Sequence, residues 1–114
     1  ESFERVLAYS VFHYFPSVQY GYDVINEMIR VCKKGGVIFI GDLLDKDYEE
    51  LIKNGSDLEY EKKIPHIKRY SEWQFFDLNE SKDIFVSKGY NVDILDQPRD
   101  FKCAHYRKDL RIWV

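Results

Sequence analysis

Four aromatic or imidazole side chains in a row, Phe12-His13-Tyr14-Phe15, follow an apolar run from Arg5 to Tyr9. Histidine titrates close to neutrality, so His13 has the chemistry of a general base. It can draw a proton from a hydroxyl or amine as that group attacks an electrophile. The competing reading is structural: a histidine packed in an aromatic loop and bonded to a backbone carbonyl. Tyr14 divides the same way, between pocket wall and core plug, whereas Phe12 and Phe15 read as core. Asp42 follows a second apolar run, Val37 to Ile40, where a carboxylate can face an active site or cap the next helix. His66 in its charged surroundings reads as solvated, Trp73 and Trp113 read as core, and His105 is uninformative.

The elements that hold these residues follow from periodicity. Arg5 to Tyr9 is apolar at consecutive positions, the pattern of a parallel strand covered on both faces. Between about Tyr20 and Lys33, Val24, Met28 and Cys32 recur at helical spacing, with Ile25 and Ile29 beside them. Gly35 stands where a left-handed helix cap is expected, and Val37 to Ile40 gives a second strand. Asp45 to Asn54 reads as a short polar helix closed by Gly55. Residues 55–69 read as a long charged connection or lid. Ser71 and Gln74 have the spacing of a capping box, predicting a helix from Ser71 to Gly89 that Asn79-Glu80-Ser81 splits. Tyr90 to Leu95 and Leu110 to Val114 are strands, joined by a segment too short for a helical crossover and therefore antiparallel. The fold class is α/β, in the order β-α-β-α-β-β, with a parallel pair first and an antiparallel hairpin last. Ligands of open α/β sheets bind beyond the carboxyl ends of the parallel strands, which places the expected chemistry at Ser10 to Pro16.

Composition narrows the class. A chain of 114 residues with 45% hydrophobic content supports one packed core and at most one domain. Nine Tyr and eight Phe exceed the needs of a minimal core, so some are expected to line a pocket or cover a face. A net charge of −3 argues against phosphate-backbone binding, and no nucleic-acid partner is expected. Lys62, Lys63, Lys68 and Arg69 have Glu59 and Glu61 close by and read as a mixed-charge loop. No apolar run reaches the ~20 residues of a membrane span. Cys32 and Cys103 read as two reduced thiols of a cytoplasmic protein, and with three scattered histidines they make no credible metal site.

Three stretches resemble class I S-adenosylmethionine-dependent methyltransferases, from the family's fourth strand to its seventh. Phe3-Glu4-Arg5-Val6-Leu7-Ala8-Tyr9-Ser10-Val11-Phe12-His13-Tyr14 is similar to the fourth strand and the loop after it. Glu27-Met28-Ile29-Arg30-Val31-Cys32-Lys33-Lys34-Gly35-Gly36 is similar to the E-x-x-R-V-L-K-P-G-G helix ending, with Lys34 where proline is usual. Tyr70-Ser71 to Gly89-Tyr90 resembles the next helix. The resemblance spans nearly the whole chain but about half of the family's domain, and so implies a partial Rossmann-like methyltransferase sheet, residues 1–114 being its C-terminal part.

The resemblance implies S-adenosylmethionine as cofactor and a small molecule as methyl acceptor. By position, Tyr9, Ser10 and Val11 become cofactor-contact residues, and His13 and Tyr14 become the acceptor-side, catalytic candidates. The family's glycine-rich loop and the carboxylate that holds its ribose are not found in the sequence, and no Gly-x-Gly occurs anywhere in it. The N-terminal half of such a domain is therefore missing, and this chain alone is expected to bind cofactor weakly at best and to turn nothing over. A different class of function is a non-catalytic interaction or pseudoenzyme module pairing, with a second copy or another chain, through the strand at Arg5 to Tyr9, whose edge carries few guards against pairing. A nicotinamide-binding half is disfavoured by the terminal antiparallel hairpin.

Overall fold

The computed structural model describes residues 3–54, 72–100 and 105–114. Its elements are β1 (Phe3–Tyr9), a 3-10 turn (Phe12–Tyr14), α1 (Val18–Val31), β2 (Cys32–Leu44), a second 3-10 turn (Lys46–Tyr48), α2 (Glu49–Asn54), α3 (Leu78–Ser87), β3 (Asn91–Asp96) and β4 (Arg107–Trp113). The expected lid at residues 55–69 lies outside the described residues, as do Gly55, His66, Tyr70, Ser71 and Cys103.

The strands form one mixed α/β sheet in the order β1-β2-β4-β3. β1 and β2 are parallel, with Val6 opposite Ile38 and Tyr9 opposite Gly41. β3 and β4 are antiparallel, as their short connection requires. β4 also runs antiparallel to β2 and so lies between the parallel pair and β3. The last strand is thus an internal one, and its Leu110 and Ile112 are fully buried.

Register explains which residues make the core. Val6, Ile38, Ile112 and Val92 lie in one row across the sheet. That face packs against Tyr22, Ile25 and Met28 of α1 and Leu78 and Phe85 of α3. Burying side chains of this size contributes roughly 1.5–3 kcal/mol each. Tyr22 adds a polar tie, its hydroxyl lying 3.0 Å from that of Ser81 on α3. The neighbouring row, Leu7, Phe39, Arg111 and Asp93, faces the other way. There Leu7 is 67% exposed and Trp113, in the next row, 43%. Expectations of β1 covered on both faces and of Trp113 in the core are therefore corrected: both helices pack on the opposite face.

Local signals shifted several boundaries. α1 starts earlier than expected because Ser17 caps it, its hydroxyl accepting the Tyr20 amide at 3.1 Å. It stops at Val31, since Cys32 turns extended and pairs with Phe3. Gly35 does adopt φ +86°, but as a turn residue within the lead-in of β2 and not as the helix cap. The helix expected from Ser71 begins at Leu78, where Asp77 caps the Glu80 amide. Trp73 to Phe75 precede it outside any helix, and Phe76 forms an isolated parallel bridge with Asp45. The Gln74 amide, which a capping box would give to Ser71, donates instead to the His13 carbonyl at 2.9 Å.

Gly36 marks the tightest approach of β1 to this lead-in. A Cβ there would lie 2.5 Å from the Glu4 carbonyl oxygen and 2.9 Å from that of Lys33. Gly36→Ala should therefore cost about 3 kcal/mol. Gly89→Ala, at φ +97° in open space, should cost only about 1 kcal/mol. Urea denaturation of the two variants checks the order, and a reversal would contradict the close packing of β1 on the turn.

Candidate functional site

The parallel pair ends in two left-handed residues side by side. Tyr9 is opposite Gly41, the Ser10 amide donates to the Gly41 carbonyl at 3.0 Å, and the next residue on each strand, Ser10 and Asp42, has φ +60° and +62°. A non-glycine residue pays for that conformation, at about 1–3 kcal/mol. Two adjacent cases at the carboxyl end of a parallel pair make this edge the candidate site. Gly41 is glycine because the Tyr9 ring occupies the space a Cβ would need.

At Asp42 the strain has a visible purpose. Between Ile40 and Leu43 the β2–β4 register shifts, so that Gly41 and Asp42 together face Asp109 alone. This is a β-bulge, a device that bends a strand and re-aims a side chain. The Asp42 amide, out of the ladder, donates to Asp109 Oδ1 at 3.1 Å. The Asp42 side chain turns inward, only 12% exposed, and accepts from Gln97 Nε2 and, at 3.3 Å, from Arg107 Nη1. Gln97 Nε2 also reaches Asp109 Oδ1 at 3.1 Å. A bulge on β2, the end of β3 and the start of β4 are thereby tied through polar side chains. Asp42 does not cap the following helix: Asp45 caps the 3-10 turn, accepting the Asp47 amide.

Residues 73–76 strap this edge. The Gln74 amide holds the His13 carbonyl, the Phe76 amide holds the Leu44 carbonyl at 2.7 Å, and the Lys46 amide returns to the Phe76 carbonyl at 2.9 Å. Trp73 is thereby set edge-on to His13, ring centroids 4.9 Å apart, while the Tyr14 ring lies 4.0 Å from the imidazole. The Arg107 guanidinium stands over both Trp73 and Tyr106, at 5.8 and 5.4 Å from the ring centroids. Leu44, Trp73, Phe75 and Tyr106 form a small apolar cluster under it, with Tyr48 and Ile52 alongside.

His13 is 1% exposed, and its Nδ1 is buried without a hydrogen-bond partner among the described residues. Among the described residues, no backbone carbonyl meets Nδ1 as the structural reading expected. Its pKa is lowered to about 4, first by burial and then by the Arg107 charge, with Asp42 pulling weakly the other way. The ring is therefore neutral at pH 7. A buried polar atom left unpaired in a folded chain calls for a reason, and a ligand contact is one.

The residues expected from sequence sit together at this edge in unequal roles. Tyr9, Val11 and Tyr14 are exposed, 51%, 41% and 43%, and Ser10 is half-buried at the turn. His13 and Phe12 are buried, and Phe15 is half-buried against Phe12. Gln97, Arg107 and Asp109 were not foreseen. The sequence trace of Arg107 and Asp109 is a charged run, Arg107-Lys108-Asp109, opening a strand that continues Leu110-Arg111-Ile112-Trp113. No group of three or more histidine, cysteine or carboxylate side chains able to hold a metal occurs among the described residues. No helix among them is long and apolar enough to cross a membrane. No protein-family model matches the chain, nor does any curated protein.

The sign of the His13 effect can be worked out. Its folded pKa lies below the ordinary 6.5, so between pH 6.5 and about 4 the unfolded chain holds more protons than the folded one. Stability contributed by neutral His13 is complete above pH 6.5 and is lost as the pH falls toward 4. Urea unfolding at pH 7.5 and pH 4.5 should show a drop in the native protein that is smaller in His13→Gln. An imidazole NMR titration should give a midpoint near 4, and a midpoint at 6.5 would contradict the burial.

Proposed function

We propose that the chain is the acceptor-side part of a class I S-adenosylmethionine-dependent methyltransferase domain acting on a small molecule. What carries the proposal is neutral His13, with its unpaired Nδ1, at the carboxyl end of a parallel pair beside two strained turns. The terminal antiparallel strand supports it further, being the trait that separates this family from nicotinamide-binding Rossmann sheets in the resemblance.

The residues fit the cofactor in part. The left-handed turn at Tyr9, Ser10 and Val11 offers accessible surface of the kind the methionine end of the cofactor requires. The Asp42 carboxylate is committed to Gln97 and Arg107 and is not offered to a ribose. When bound, S-adenosylmethionine supplies a methyl group on a sulfonium. The task left to the chain is positioning, since alignment of nucleophile and electrophile supplies much of the barrier reduction.

A group with pKa near 4 is a feeble base at pH 7 but a dependable hydrogen-bond acceptor. His13 Nδ1 would accept a hydrogen bond from the acceptor's hydroxyl or amine, turning the nucleophile's lone pair toward the methyl. Tyr14, half exposed and packed on the same imidazole, would wall the pocket.

Calorimetric titration of the 114-residue chain with S-adenosylmethionine should show no binding in the micromolar range, because the glycine loop is not among its residues; micromolar affinity would refute that part. In a longer polypeptide that also supplies an apolar strand followed by Gly-x-Gly, methyl transfer should appear. There His13→Ala should lower kcat by about 100-fold, with His13→Gln less damaged because its carbonyl still accepts. Unaltered turnover in both variants would remove His13 from the site.

A further inference from the structure

Arg107 pairs with its carboxylate differently from Arg30 and Arg111. Arg30 gives Nε and Nη2 to Glu27, and Arg111 gives the same two nitrogens to Asp93, so the forked edge of each guanidinium is filled. Both pairs lie toward the surface, with 68% and 38% of the arginine side chain exposed. Arg107 is only 15% exposed, yet it meets Asp42 through Nη1 alone, at 3.3 Å. Among the described residues, its Nε and Nη2 donate to nothing. A guanidinium carries five N–H donors, and withdrawing most of them from water unspent is costly.

The neighbouring carboxylates are occupied elsewhere. Asp42 gives one oxygen to Gln97 and the other to Arg107 Nη1, while Asp109 Oδ1 takes the Asp42 amide and Gln97. The faces of Trp73 and Tyr106 steady the guanidinium. His13 shares Trp73 with it, so the two groups are no further apart than the sum of their distances to that ring. One small molecule bridges such a span. What the edge leaves unspent is complementary: donors on Arg107, and an unpartnered acceptor at Nδ1 of the 1% exposed His13. A molecule that satisfies both has an anionic group at one end and a hydroxyl or amine at the other. Asp42 and Asp109 limit the anion's charge, since like charges brought together repel. A carboxylate therefore suits the place better than a doubly charged phosphate.

We propose that Arg107 holds a carboxylate of the methyl acceptor, which makes the acceptor class a small carboxylic acid whose hydroxyl or amine reaches His13. The acceptor role rests on the methyltransferase reading, whereas the carboxylate contact itself needs no cofactor.

The 114-residue chain, labelled with nitrogen-15, tests this by NMR at pH 7.5 and constant ionic strength. Acetate should shift the Arg107 Nε signal saturably, in the millimolar range, and leave those of Arg30 and Arg111 in place. Inorganic phosphate should act at least about tenfold more weakly. Glycolate, 3-hydroxybenzoate and 4-hydroxybenzoate space a carboxylate and a hydroxyl differently, and at least one should also shift the His13 ring nitrogens. Arg107→Lys keeps the charge and loses the fork, and should weaken that second effect about tenfold. Should the variant misfold, the titrations of the native chain decide. Acetate that leaves Arg107 unmoved, or moves all three arginines alike, overturns the proposal. So does a panel in which none of the hydroxy acids reaches His13. Carboxylate binding without methyl transfer in the longer polypeptide would fail the methyltransferase reading alone. Methyl transfer without carboxylate binding would fail this inference alone.

Discussion

The carboxylate of Asp42 ties three neighbouring strands together at the point where the β2–β4 ladder is interrupted. It sits on a β2 bulge, takes the side-chain amide of Gln97 from the end of β3 and meets Arg107 at the start of β4. Buried carboxylates are costly unless charge and hydrogen bonds surround them. Here the guanidinium supplies the charge, Gln97 the bond, and Asp109 takes the Asp42 amide that the bulge leaves over. Without that set, the left-handed turn at Asp42 would have nothing to offset its strain. Burial is the main reason His13 stays neutral, and the same Arg107 charge adds to it, while Asp42 acts the other way.

Packing and chemistry meet in the strap at Trp73 to Phe76. Its amides bond carbonyls of His13 and Leu44, while Trp73 lies against both the imidazole and the guanidinium. Gly21 shows the fit on the helix side: a Cβ there would come within 2.9 Å of the Phe76 ring. A shift of the strap would therefore be felt at α1, at the β2 bulge and at His13 together. Coupling of this kind is expected where buried polar groups and rings share partners.

The sequence made much of this architecture legible, and the failures have physical causes. Consecutive apolar residues in Val37 to Ile40 marked a buried strand, and Val24, Ile25, Met28 and Ile29 marked one face of α1, because period alone carries that information. The short loop between β3 and β4 required antiparallel pairing. Nothing local could say that β4 inserts between β2 and β3, or that both helices pack on one face and leave Trp113 exposed on the other, since those are decided by tertiary contacts. Ser71-Gln74 matched a capping box, but the Gln74 amide found a stronger use at His13. His13 was visible because an imidazole in an aromatic loop is unusual. Its unpaired Nδ1 was not visible, and neither was the Asp42 network, because Gln97 and Asp109 lie 55 and 67 positions from Asp42.

A double-mutant cycle between Asp42→Asn and Arg107→Gln, read by urea unfolding at pH 7.5, tests most directly whether this carboxylate organises the edge. The pair is nearly buried and shares its environment with Gln97, so the two substitutions should be coupled by about 1–3 kcal/mol. Additivity to within about 0.3 kcal/mol would mean that the two side chains act independently, and would contradict the account.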